Sequence, residues 1–183
     1  MRIQYRAVDF SGPSEPPSAG KWFDFVATLA GAIAAVMLIL VFLFRVVTVD
    51  GQSMVPTLQD GDRLILTDVT TRYQRADIVV ISRANEDPLV KRVIAVGGDT
   101  IDLVDGAVYL NGTFLEEPYL DQETWDVSPE PPDFPLTVPN GYVFVMGDNR
   151  GNSLDSRSYE VGLVDTHRIL GKVIVHLSNT EEA

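Results

Sequence analysis

The 183-residue sequence has no cysteine and only two histidines. Without cysteine there can be no disulfide framework, no thiolate metal site and no cysteine nucleophile. His167 and His176 do not share a metal-ligand spacing. His176 alternates with apolar residues in Val173-Ile-Val-His-Leu177, which places it on the exposed face of a strand. Gly97-Gly98 lacks the pattern of a phosphate-binding loop. Basic residues are scarce too: 14 Lys+Arg stand against 26 Asp+Glu, for a formal net charge of −12. A surface of that sign repels phosphate backbones, which excludes a nucleic-acid partner. Of those residues 10 Lys+Arg and 23 Asp+Glu fall from Val46 onward, so the acidity belongs to the C-terminal portion. A folded domain of that size needs no disulfides, and an extracytoplasmic location stays open.

Charge is missing altogether from Phe25 to Phe44, where only Thr28 and Gly31 are neither apolar nor aromatic. Twenty such residues in a helix reach about 30 Å, the hydrocarbon thickness of a bilayer. A helix buried in a soluble core would carry a polar stripe. A cleaved leader would have a shorter apolar core and small residues after it; Arg45-Val-Val-Thr-Val-Asp50 offers β-branched ones. The run therefore reads as an uncleaved transmembrane anchor over residues 21–45. A flexible tail rich in Pro, Ser and Gly precedes it over residues 1–20, and one extracytoplasmic domain follows over 46–183. Trp22 and Phe23 suit the interface. Arg2, Arg6 and Lys21 precede the run and Arg45 follows it, a bias toward an inside N-terminus.

The domain itself lacks helical periodicity. Short strand-like runs recur at Arg45–Val49, Arg63–Leu66, Ile78–Ser82, Val90–Val96, Thr100–Val104, Ala107–Leu110, Tyr142–Met146 and Ile169–Leu177. Asp60-Gly61, Asp105-Gly106, Asn111-Gly112 and Asn140-Gly141 supply turns between them. Asn111-Gly-Thr113 also matches a glycosylation acceptor, but a hairpin turn is the simpler reading. Residues 128–139 carry five prolines and read as a loop, because proline cannot sit in a central strand. The expected fold is mainly β: an antiparallel sheet domain preceded by one transmembrane helix.

Three segments could carry chemistry. In Gly51-Gln-Ser-Met-Val-Pro-Thr-Leu58, Ser53 lies in chain that is neither regular helix nor regular strand. Such chain can expose a side chain and leave N–H groups free for an oxyanion, although an ordinary turn serine fits it as well. In Leu89-Val-Lys-Arg-Val-Ile-Ala-Val96, strand alternation puts Lys91 on a face with Leu89, Val93 and Ala95, and Arg92 on the other with Val90, Ile94 and Val96. A lysine among apolar neighbours either snorkels to water or loses its charge, and a neutral amine can take a serine proton. Met146-Gly-Asp-Asn-Arg-Gly-Asn-Ser-Leu-Asp-Ser-Arg157 reads as a polar loop after a strand.

Taken together and in this order, Gly-Gln-Ser-Met-Val-Pro-Thr-Leu, Gly-Asp-Arg-Leu-Ile, Val-Lys-Arg-Val-Ile-Ala-Val-Gly-Gly-Asp and Gly-Asp-Asn-Arg-Gly-Asn-Ser-Leu-Asp-Ser-Arg resemble the type I signal peptidases, bacterial Ser–Lys proteases, in their small single-anchor form. The resemblance covers about Val46 to Val175. It implies a signal-peptidase-like fold, with Ser53 as nucleophile, Lys91 as general base and the Ser53 N–H as oxyanion donor. It implies that Ser153 orients the lysine amine and that Met54 lies near the cleft that faces the membrane. Arg92, Asp148, Asp155 and Arg157 would brace the site through ion pairs. No metal or organic cofactor is implied. The implied partners are preprotein signal peptides and the lipid bilayer, with room for transient contact with the secretion machinery. The implied location is the cytoplasmic membrane, single-pass, with the catalytic domain on its outer face. Ser53 follows Arg45 by eight residues, so an extended chain keeps it within about 30 Å of the bilayer. Some family members carry a second oxyanion donor on the side chain two residues before the nucleophile, where this chain has Gly51. Two rival readings remain: a peptidase dedicated to one exported substrate in a conjugation or pilus system, and a catalytically inactive membrane-tethered binding module.

Overall fold

The computed structural model describes residues 19–69, 72–84, 86–121 and 132–178. The expected tail up to residue 18 and the first part of the proline-rich stretch, through residue 131, lie outside the described residues. The chain divides into two compact units between Val41 and Phe42. The described residues of the first are helical. Helix α1 spans Ala19–Leu43, and its segment Gly20–Val41 is long and apolar enough to cross a membrane, with a mean hydropathy of 2.3.

The second unit is built from strands β1 (Phe44–Thr48), β2 (Arg63–Thr67), β3 (Ile78–Arg83), β4 (Glu86–Val96), β5 (Thr100–Val104), β6 (Ala107–Leu110), β7 (Thr113–Phe114), β8 (Leu136–Thr137), β9 (Tyr142–Met146), β10 (Val164–Asp165) and β11 (Ile169–Leu177). Seven of them form one sheet in the order β1–β2–β11–β3–β4–β9–β10, and four form a second in the order β7–β6–β5–β8. All pairings are antiparallel. The fold is therefore mainly antiparallel β with one apolar helix before it, as the sequence predicts.

Every expected strand forms. The glycosylation-like triplet is the β6–β7 turn, where Asn111 (φ 53°) and Gly112 (φ 77°) both take left-handed backbone. Strands β7, β8 and β10, two residues each, escape pattern reading because alternation needs about four residues to show. Strand β8 falls inside the stretch read as loop, and it is an edge strand, the one sheet position that tolerates flanking prolines. Strand β4 begins four residues earlier than expected. Its start contains Pro88, but β9 pairs with β4 only from Arg92 onward, so the first part of β4 has a ladder on one side only.

Alternation builds the core. On β3, Val79 and Ile81 join a cluster with Val93, Val143, Val145, Val164 and Ile169. Val80, between them in sequence, joins Val49, Met54, Leu58, Leu64 and Leu66 in another. A third cluster joins Phe144 and Met146 of β9 to Ile101, Val108 and Leu110 of the second sheet. Strand β4 feeds all of these through a bulge. Val93 pairs with Val145, but Ala95 pairs with Phe144, so Ile94 is an extra residue. Strict alternation consequently fails beyond Val93. Ala95 packs with Ile94 in the third cluster, and Val96 packs with the cluster of Val93, which corrects the faces expected for both.

Candidate active site

Lys91 sits on a central strand, opposite Val79 of β3 and on the face of Leu89 and Val93. The lysine is buried, at 1% exposure. Burial strips water from the ammonium and lowers its pKa from 10.5 to about 8; the Asp155 carboxylate pulls the other way, and Arg83 adds a smaller lowering. The amine reaches Ser53 Oγ at 2.6 Å and Val90 O at 2.9 Å. A protonated amine donates across the first gap; a neutral one accepts the hydroxyl proton.

Ser53 stands in a helix-like turn between β1 and β2. Val55 N–H donates to Gln52 O and Leu58 N–H to Met54 O. Met54 and Leu58, four apart, therefore share the inner side, and both enter the hydrophobic core at 1% exposure. Met54 is thus a core residue that directly follows Ser53. Ser53 comes from the adjacent position and escapes that packing. Gly51 holds a φ of 92°, which favours glycine, and its N–H donates to Asp60 Oδ1 at 2.8 Å.

The segment after β9 closes over the turn. Gly147 lies where a methyl group would overlap Ser153 Oγ and the Ser53 carbonyl oxygen, so only glycine fits. Asp148 accepts two hydrogen bonds from Arg92, Nε at 2.8 Å and the terminal nitrogen at 2.6 Å. Asp155 accepts from Arg157 Nε at 2.8 Å and from Gly147 N–H at 2.9 Å. Both predicted ion pairs are formed and buried. Ser153, expected to orient the amine, instead donates its hydroxyl to Asp155 Oδ2 at 2.7 Å. Among the described residues Lys91 Nζ has Ser53 and Val90 as its hydrogen-bond partners. The anionic Asp155 oxygen, two residues away, is a strong acceptor for the Ser153 hydroxyl proton.

Some of this network was not legible in the sequence. Arg150 makes a two-point contact with Glu117, at 2.8 Å and 2.5 Å, and donates from Nε to Gly147 O. Tyr119 OH donates to Glu117 at 2.6 Å, and the Arg92 guanidinium stacks on the Tyr119 ring at 4.0 Å. Glu117 and Tyr119 follow β7 in an irregular segment, where no periodicity singles them out. Asn149 belongs to the quoted Gly-Asp-Asn-Arg run, yet nothing in its spacing reveals a partner 97 positions away. His176 is exposed, as expected, and places Nε2 2.6 Å from Asp62 Oδ2. Among the described residues no group of three or more His, Asp or Glu converges as a metal site requires.

A serine hydroxyl against a buried, partly neutralised lysine suits acyl transfer. A family model for signal peptidases, peptidase S26, matches residues 22–177. The chain belongs to that family. It is accordingly a serine peptidase, a hydrolase of peptide bonds. It is 40% identical over 159 residues to a signal peptidase I of Bacillus licheniformis, covering 81% of this chain and 84% of that one. It is 41% identical over 150 residues to signal peptidase I T of Bacillus subtilis, covering 76% and 77%. A crystal structure of a signal peptidase I from Enterococcus faecalis, 33% identical, covers 57% of this chain and 98% of its own at a TM-score of 0.44, an overlap too loose to add to the assignment.

Proposed function

We propose that this chain removes N-terminal signal peptides from exported preproteins, with Ser53 as nucleophile and Lys91 as general base, while α1 anchors it in the cytoplasmic membrane with the β domain outside. The Ser53–Lys91 approach of 2.6 Å at a buried lysine carries the reading. The names of its relatives supply the substrate class, and the charge bias around residues 21–45 supplies the orientation.

The reaction is acyl transfer. Neutral Lys91 takes the Ser53 proton as Oγ bonds to the scissile carbonyl carbon, and the carbonyl oxygen becomes an oxyanion near the Ser53 N–H. Collapse breaks the C–N bond, and the leaving amine takes the proton from Lys91. Water then attacks the ester, Lys91 accepts the water proton, and the ester bond breaks with return of a proton to Ser53. The buried Arg92–Asp148 and Arg157–Asp155 pairs hold the strand and the loop that frame these groups.

The test uses the full chain in detergent with a preprotein. Ser53→Ala and Lys91→Ala should each lower turnover by at least about 10³-fold with unchanged circular dichroism. Lys91→Arg and Lys91→His should fail as well, since neither supplies a neutral alkylamine at that reach. Retained turnover in Lys91→Ala would remove the general base from the scheme. Retained turnover in Ser53→Ala would remove the nucleophile.

A further inference from the structure

The reading above requires an N–H donor aimed at the scissile oxygen, and a backbone donor has no rotamer of its own. Its direction is set by its peptide plane. In a trans peptide the C=O of one residue and the N–H of the next lie in one plane and point opposite ways. Whatever grips the carbonyl therefore aims the amide.

Two successive carbonyls at the nucleophile turn are gripped by one residue. Asn149 Nδ2 donates to Gln52 O at 3.1 Å, and Asn149 N–H donates to Ser53 O at 3.0 Å. The first bond fixes the plane that carries the Ser53 N–H and turns that N–H away from Asn149. The second fixes the following plane. Ser53 φ and ψ are the two torsions that relate these planes, so clamping both planes also fixes where Cβ and Oγ point. Among the described residues the Ser53 N–H has no protein acceptor, whereas the Gly51 N–H is occupied by Asp60. The donor left open is the one that Asn149 aims. Gly51 leaves no side chain two residues before the nucleophile, so this donor's alignment carries more of the stabilisation.

We infer that Asn149 is a positioning residue of the oxyanion hole: by holding the Gln52 and Ser53 carbonyls it directs the Ser53 N–H and the Ser53 hydroxyl together toward the substrate. This rests on Ser53 being the nucleophile. It requires an amide at position 149, because a carboxylate of the same shape would set one acceptor against another at Gln52 O.

The experiment compares wild type, Asn149→Ala and Asn149→Asp as full chains in detergent. It measures kcat and KM on a preprotein, the acid limb of the pH profile, and inhibition by a substrate-like peptide aldehyde. The aldehyde adds to the serine and places an oxyanion in the hole. The alanine variant should lose about 10-fold in kcat and the aspartate variant about 100-fold, part or all of what one oxyanion donor is worth. KM should stay within about twofold and the acid limb should not move, because Lys91 is untouched. Aldehyde affinity should fall in step with kcat. A merely structural role would lower thermal stability and leave aldehyde affinity tracking KM, and that result would overturn the inference. So would kcat within about twofold of wild type in both variants. A failure of the nucleophile reading shows elsewhere, as turnover retained by Ser53→Ala.

Discussion

An amine 2.6 Å from a hydroxyl helps that hydroxyl only while it lacks its third proton. With the Lys91 pKa lowered to about 8, kcat/KM should rise roughly tenfold per pH unit below 8 and level off above it. A rate that stays flat down to pH 5 would contradict a lysine base. Stability carries the same signature with a definite sign. Below about pH 8 both folded and unfolded chains hold the proton, and the folded chain bears the full cost of burying the charge. As pH rises from about 8 to about 10.5 the unfolded chain keeps the proton that the folded one has released, and the cost disappears. Relative to Lys91→Met, wild type should therefore gain up to about 3 kcal/mol across that window in denaturant unfolding. At this scale the sequence marked the apolar strand face of Lys91, with burial and snorkelling both open, and did not mark Asn149. The face of Lys91 is a local property, set by Leu89 and Val93 at alternate positions. The hydrogen bonds of Asn149 join segments distant in sequence, and no periodicity records them.

The elements that hold the site differ in the same way. Strand β4 was legible over Val90–Val96, where four of seven residues are β-branched, and its bulge was not, because Ile94 looks like any other apolar position until its partner strand is seen. The segment after β7 had no signature at all, yet it supplies Glu117 and Tyr119 to Arg150 and Arg92. Arg150 and Glu117 are nearly inaccessible, with side chains 1% and 7% exposed. Replacing Glu117 by Gln takes a negative charge from a buried guanidinium, and it should cost about 2 kcal/mol and lower the thermal midpoint by about 5 °C. Thermal unfolding of the full chain in detergent measures this. Burial pushes the Tyr119 phenol upward, with the Glu117 carboxylate adding to the shift, so the ring stays neutral at working pH and its hydroxyl remains a donor.

For the whole molecule, the proposed function makes the division between Val41 and Phe42 one between anchoring and chemistry. A chain that starts at Phe42 should leave the membrane fraction and still cleave a short soluble peptide at the wild-type rate. On a preprotein held in vesicles it should lose about 10²-fold, because the anchor supplies effective concentration rather than contacts. Equal loss on both substrates would mean that α1 supports the catalytic fold. The apolar helix and the β class were readable from an uncharged run and from turn dipeptides. The pairing of two sheets was not, since antiparallel order depends on contacts that skip along the chain, as β11 does between β2 and β3. The single extra residue at Ile94 has a wider consequence. It acts as a phase shifter, letting one unbroken strand line two interiors that alternate out of step. Upstream of it, the rhythm of β4 places Lys91; downstream, it seats the second sheet. Removing one residue there would invert one half against the other, so changes of length must be absorbed at hairpin tips such as Asp105-Gly106, where no side chain has to keep time.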